Sequence, residues 1–104
     1  MAPQALALLN DEFVRSCATG FAERLLEACG DDDEQVVRLS FSMAFTRQPT
    51  ESELRSAAAF IRAQSEARQS RRAQNSEAES NVRLQAISDY CQTLFALNEF
   101  IYVD

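Results

Sequence analysis

The stretch "DDDEQVVRLSFSMAFTR", residues 31–47, decides the fold class of this chain because it reads two ways. Val37, Leu39, Phe41, Met43 and Phe45 alternate with Arg38, Ser40, Ser42 and Ala44, which is the period of a half-buried β-strand. The same residues place Val36, Val37, Ser40, Phe41, Ala44 and Phe45 on one broad helical face. They also set Asp31 to Glu34 at the helix N-terminus, where the backbone dipole favours anions. A strand needs a neighbour to satisfy its N–H and C=O groups, and no second strand-like run exists in the sequence. The helical reading follows, and with it an all-α fold.

On the C-terminal side, "TRQPTESEL" (46–54) is the clearest local signal. Arg47 falls at a helix C-terminus, Pro49 stops that helix, and Thr50 with Glu53 forms a capping box that opens the next. Leu54, Ala57, Ala58, Ile61, Ala63 and Ala67 continue that helix while its apolar stripe fades. Residues 64–80 contain no large apolar side chain, so a polar helical arm or loop is expected there, solvated and turning near Asn75 to Ser80. From Asn81 the pattern returns. Val82, Leu84, Ile87, Tyr90, Cys91, Leu94, Phe95, Leu97, Phe100 and Ile101 recur at spacings of three and four, marking this helix as the centre of a bundle.

On the N-terminal side, Phe13, Cys17, Phe21, Leu25 and Cys29 recur every fourth residue beside Val14, Ala18, Ala22 and Leu26, the pattern of an amphipathic helix. Asn10 or Asp11 suits its N-cap, and Gly30 its left-handed C′ position. "PQALALLN" (3–10) reads as a short extra helical turn packing back on it. Gly20, which costs about 1 kcal/mol relative to Ala inside a helix, is expected to mark a close approach by a neighbouring helix. The chain therefore reads as a single helical domain over residues 1–104. Its expected form is a four-helix bundle with a short N-terminal turn and a polar arm.

Composition excludes several functions. The formal charge is −6, and all ten basic residues are Arg. Such a chain gains little from counterion release on nucleic acid or from anionic lipid, so neither is an expected partner. The absence of His removes imidazole acid/base catalysis, Ser-His and Cys-His nucleophiles, and His-ligated zinc. Cys17, Cys29 and Cys91 form no C-x-x-C pair, and buried thiols are expected. Cys17 and Cys29 lie roughly three helical turns apart, too far to bridge within one helix. No charged leader precedes an apolar region and no run of about 18 apolar residues occurs, so neither a signal peptide nor membrane insertion is expected of these residues.

No residue stands out as catalytic, cofactor-binding or metal-ligating. The run Asp31 to Glu34 lacks the alternating ligands, central Gly and distal Glu of a calcium loop, and reads as an acidic helix start. Arg68, Arg71 and Arg72 form a basic cluster without aromatic residues, read as part of a solvated arm. Asp89 and Glu99 sit in the apolar last helix, where structural polar roles are favoured. Two isolated glycines make no phosphate-binding loop. The remaining candidates are apolar. "LNEFIYVD" (97–104) is rich in large side chains, and Phe95, Phe100, Tyr102 and Val103 point in directions that one buried face cannot hold. They are the expected interaction residues.

"APQALALLND-F", "F-MAFTRQPTESEL---AAFI" and "DYCQTLFALNEFIYVD" together resemble the C-terminal end of a planctomycete-specific family of large proteins. That family carries a domain of unknown function, commonly beside cytochrome-c-like domains. The resemblance covers most of the chain outside residues 64–80, and "LNEF-YVD" is its most specific part. It implies a C-terminal fragment of a larger exported protein, periplasmic or at the cell surface. It transfers neither haem, since C-x-x-C-H is absent, nor any catalytic residue. Thr46 departs from the pattern, standing where Gly is expected in the R-x-P-T corner.

The leading expectation is a non-enzymatic helical module without cofactors that docks on the remainder of its parent polypeptide. One alternative is a homodimerisation module. The other is an accessory piece of a redox or polysaccharide-degrading site built mostly elsewhere, contributing Arg47, Asp89 or Glu99.

Overall fold

The computed structural model describes residues 12–75 and 81–96. They form four helices: α1 (Glu12–Cys29), α2 (Asp33–Phe45), α3 (Glu51–Asn75) and α4 (Val82–Phe95). No strand occurs among the described residues, and the fold is an all-α four-helix bundle. The expected N-terminal turn at 3–10, the turn between α3 and α4 and the segment 97–104 lie outside the described residues.

The ambiguous stretch is helical for the reasons its sequence supplies. Asp32, in an extended conformation, caps α2 by accepting from the Gln35 N–H at 3.2 Å. Val36, Val37, Ser40 and Phe41 are buried, with Ala44 and Phe45 packed against the core, the broad face that the helical reading assigns. The end of α2 differs from expectation. Pro49 does not terminate it; Thr46 does, in the left-handed region at φ 60°, donating its N–H to the Ser42 carbonyl at 3.1 Å. A β-branched residue pays a steric cost there that Gly avoids.

In α1 the buried residues are Ala18, Phe21, Ala22 and Leu25. A strict four-residue spacing overshoots the helical turn by roughly 40° each time. The row from Phe13 to Cys29 therefore winds out of the core at its start, leaving Phe13 69% exposed and Cys17 exposed. The expectation of buried thiols holds only for Cys91, with Cys29 intermediate and all three free. Gly30 ends the helix at φ 61°, its N–H bonded to the Leu26 carbonyl at 2.8 Å. Among the described residues Gly20 marks no close approach: a Cβ built there meets none of their atoms within 4 Å.

Packing is most extensive between α1 and α4 and then between α3 and α4, while α2 lies against both α1 and α3. Leu25, Ile61, Ile87 and Leu94 are fully enclosed, each contributing about 2–3 kcal/mol of apolar burial. The second half of α3 is not merely a solvated arm. Its polar side chains Gln64 and Arg68 reach Asp89 of α4 at 2.9 and 2.7 Å, tying the two helices in an antiparallel register. Polar pairing holds this part of α3 where apolar burial is lacking. No helix of the described residues is long and apolar enough to cross a membrane.

Candidate interaction surface

Phe95, in the last turn of α4, stacks on Phe21 of α1 with ring centroids 6.1 Å apart and planes 16° from parallel. It is half-buried. Its apolar area is thus shared between the core and the surface. Phe100, Tyr102 and Val103, named with it from sequence, lie outside the described residues.

Beside this end of α4 runs an apolar groove of about 340 Å³ that the sequence reading missed. Phe41 of α2, Ala57 and Phe60 of α3, and Tyr90, Thr93 and Leu94 of α4 line it.

The charged candidates are occupied by structural work. Arg47 forms a two-pronged ion pair with Glu53, with N–O distances of 2.9 and 3.0 Å. The guanidinium also sits over the rings of Phe41 and Phe45, 5.2 and 5.7 Å from their centroids. Glu53 simultaneously completes the capping box: its carboxylate accepts from the Thr50 N–H at 2.8 Å, and its own N–H donates to Thr50 Oγ1 at 3.1 Å. The Arg47 hydrogen bonds, followed by that of the Thr50 backbone, hold the Glu53 carboxyl down at about 2. One carboxylate thus fixes the corner between α2 and α3.

Asp89 is gripped by Arg68 at 2.7 and 2.9 Å and by Gln64 at 2.9 Å. Its hydrogen bond pushes the Arg68 pKa further up. Arg68, expected on a solvated arm, is instead half-buried between helices. Arg47 and Asp89 therefore belong to different networks, and neither lines the groove. Glu99 lies outside the described residues. A third arginine, Arg83, donates from Nε and Nη2 to the Gly30 carbonyl at 3.2 and 2.9 Å, and from Nη1 to Asp33 at 2.8 Å. It sets a cation at the C-terminal end of α1, where the dipole favours one, and locks the start of α4 to the α1–α2 turn.

The acidic run is explained residue by residue: Asp31 lies 3.6 Å from Arg83 Nε, Asp32 caps α2, Asp33 binds Arg83, and Glu34 pairs with Arg38 at 3.0 Å. Among the described residues, no three acidic or thiol side chains are grouped to hold a metal ion. In the core, Ser40 Oγ lies 2.6 Å from the Tyr90 hydroxyl and donates to the Val37 carbonyl at 2.8 Å. The single serine proton is used on that carbonyl, so Tyr90 is the donor in the shorter bond. Burial pushes Tyr90 up to about 12, and burial does the same to Cys91. The buried Ser88 hydroxyl has no partner among the described residues.

Fold and surface together define a four-helix bundle in which Arg47, Arg68, Arg83 and Asp89 join its helices. The chain belongs to the PSD1 family, a protein of unknown function (DUF1553), whose family model matches residues 1–61. That span takes in α1, α2 and α3 as far as Ile61, while α4, on which α1 packs, lies beyond it. No curated protein and no solved structure matches the chain.

Proposed function

We propose that this chain is a non-catalytic helical module, the C-terminal part of a larger exported protein, that docks on the remainder of that protein through Phe95, Phe100, Tyr102 and Val103. The observation that carries the reading is Phe95. It rests one face on Phe21 yet stays half-buried, and the sequence beyond it adds five more large apolar residues within eight positions. A non-catalytic role is supported by Arg47 and Asp89, the polar candidates among the described residues, each committed to a structural ion pair. The resemblance of "LNEF-YVD" supports a planctomycete parent that also carries cytochrome-c-like domains, placed in the periplasm or at the cell surface.

The test is an NMR titration in which the separately purified upstream part of that parent is added to isotope-labelled chain. Saturable amide shifts concentrated at residues 94–104 are expected. Shifts elsewhere, or none at high concentration, would refute the docking surface. Light scattering over a concentration range separates this reading from a homodimer, for which the mass would double.

A further inference from the structure

We infer that the second half of α3, from Gln64 onward, is an ionic latch that parts from α4 as a unit while the rest of the bundle stays closed. The sequence of α3 prepares it. Leu54, Ala57, Ile61, Gln64 and Arg68 follow one another at spacings of three, four, three and four, so they lie on one seam of the helix. That seam changes character midway. Leu54 and Ala57 pack on the core and Ile61 is fully enclosed, whereas no described side chain of α3 beyond Ile61 is buried.

What the seam meets on α4 changes with it. Gln64 Nε2 donates to Asp89 Oδ2 at 2.9 Å, Arg68 donates to the two Asp89 oxygens at 2.7 and 2.9 Å, and its Nη1 reaches Gln85 at 3.4 Å. These polar bonds stand where an apolar seam would continue. Ala86, which falls between Gln85 and Asp89 in sequence, is fully enclosed yet lies outside the contiguous apolar core of the described residues. The latch therefore differs from the core in chemistry as well as in position.

The two halves of α3 answer to different forces. Apolar burial is not weakened by simple salt, while an ion pair weakens as the screening length shortens from roughly 30 Å at about 0.01 M to roughly 3 Å at about 1 M. With side chains 28% and 18% exposed, Arg68 and Asp89 are open enough to solvent for that screening to reach them. A helix of about 12 residues is marginal by itself in water, so the segment loses its helical hydrogen bonds once the pair lets go. The first half has other anchors, since Glu53 closes the capping box at its start and pairs with Arg47. Opening uncovers Ala86 and leaves Arg68 and Asp89 as accessible charges of opposite sign. The proposed docking concerns the other end of α4, at Phe95, and the latch stands without it.

The experiment is native-state hydrogen exchange of the whole isotope-labelled chain, read amide by amide by NMR in NaCl at about 0.01 M and about 1 M. Relative to their unfolded rates, amides 66–73 should exchange about tenfold faster than amides 55–61 in low salt. High salt should speed 66–73 by about a further threefold and leave 55–61 and α1 unchanged. Asp89→Asn, which keeps the shape and removes the charge, should speed 66–73 by about tenfold and abolish the salt response. Equal protection in the two halves of α3 would overturn the latch, because it would show a single cooperative unit. So would exchange at 66–73 that ignores salt in the unaltered chain, or an Asp89→Asn effect as large at 55–61 as at 66–73. Neither measurement involves the parent protein, so failure here is distinguishable from failure of the docking titration.

Discussion

Replacing Tyr90 by Phe removes one oxygen from the core and tests how α2 is held to α4. The Tyr90 hydroxyl donates to Ser40 Oγ at 2.6 Å, and Ser40 passes its own proton to the Val37 carbonyl at 2.8 Å. Tyr90→Phe leaves Ser40 with one bond intact and one acceptor site bare, a loss of about 1 kcal/mol. Ser40→Ala is worse, about 2 kcal/mol, because it strands a buried O–H donor on a tyrosine only 3% exposed. The double variant strands nothing and leaves an apolar contact. It should lie within about 1 kcal/mol of the parent, giving a coupling of roughly 2 kcal/mol between the two sites. Urea denaturation followed by circular dichroism reads this directly, and for a domain of this size each kcal/mol corresponds to about 4–8 °C in Tm. A double variant as unstable as the sum of the singles would refute the reasoning. Alkaline pH gives an independent check. The folded Tyr90 is held at about 12 and an unfolded tyrosine ionises near 10. Between those values the unfolded chain binds fewer protons, so stability falls as pH rises, by up to roughly 2–3 kcal/mol from this residue. Tyr90→Phe should lack that portion of the loss, with Cys91 still titrating in both proteins.

Four further outcomes follow from other parts of the molecule. Gly20→Ala should stabilise the chain by about 1 kcal/mol, since the added methyl meets nothing within 4 Å among the described residues; a lower urea midpoint would contradict this. Thr46→Gly should also stabilise, by about 1 kcal/mol, by relieving the positive φ at the end of α2. Glu53, lowered to about 2 from 4.5, adds stability that is full above about 4.5 and lost as pH falls towards 2. With its side chain 36% exposed, solvent screening reduces that contribution to about 1 kcal/mol, and Glu53→Gln should flatten the acid limb of stability against pH. Asp89→Ala leaves the half-buried Arg68 and Gln64 without their acceptor. It should cost about 2 kcal/mol and raise amide exchange in the second half of α3 more than in α1.

The features legible in the sequence are those made within a few residues. The helical reading of 31–47 rested on the lack of a pairing strand, and its buried face agrees with the structure from Val36 to Phe45. Thr50 and Glu53, three positions apart, cap α3 because such a box closes within one turn. Gly30 ends α1 in the left-handed conformation for the same local reason.

Only the tertiary structure decided what joins those pieces. Arg68 meets Asp89 across 21 positions, Ser40 meets Tyr90 across 50, and Arg83 meets the Gly30 carbonyl across 53. Nothing local to those residues requires the pairing. An arginine among serines and glutamines reads as solvated until a carboxylate from another helix arrives beside it. The groove has the same origin, since Phe41, Phe60 and Leu94 belong to three helices and the space between them exists only once those helices pack. Periodicity and capping are written along the chain and determine that the described residues form four helices. Which polar groups meet, and what surface remains between the helices, depends on contacts distant in sequence, and those the packing alone creates.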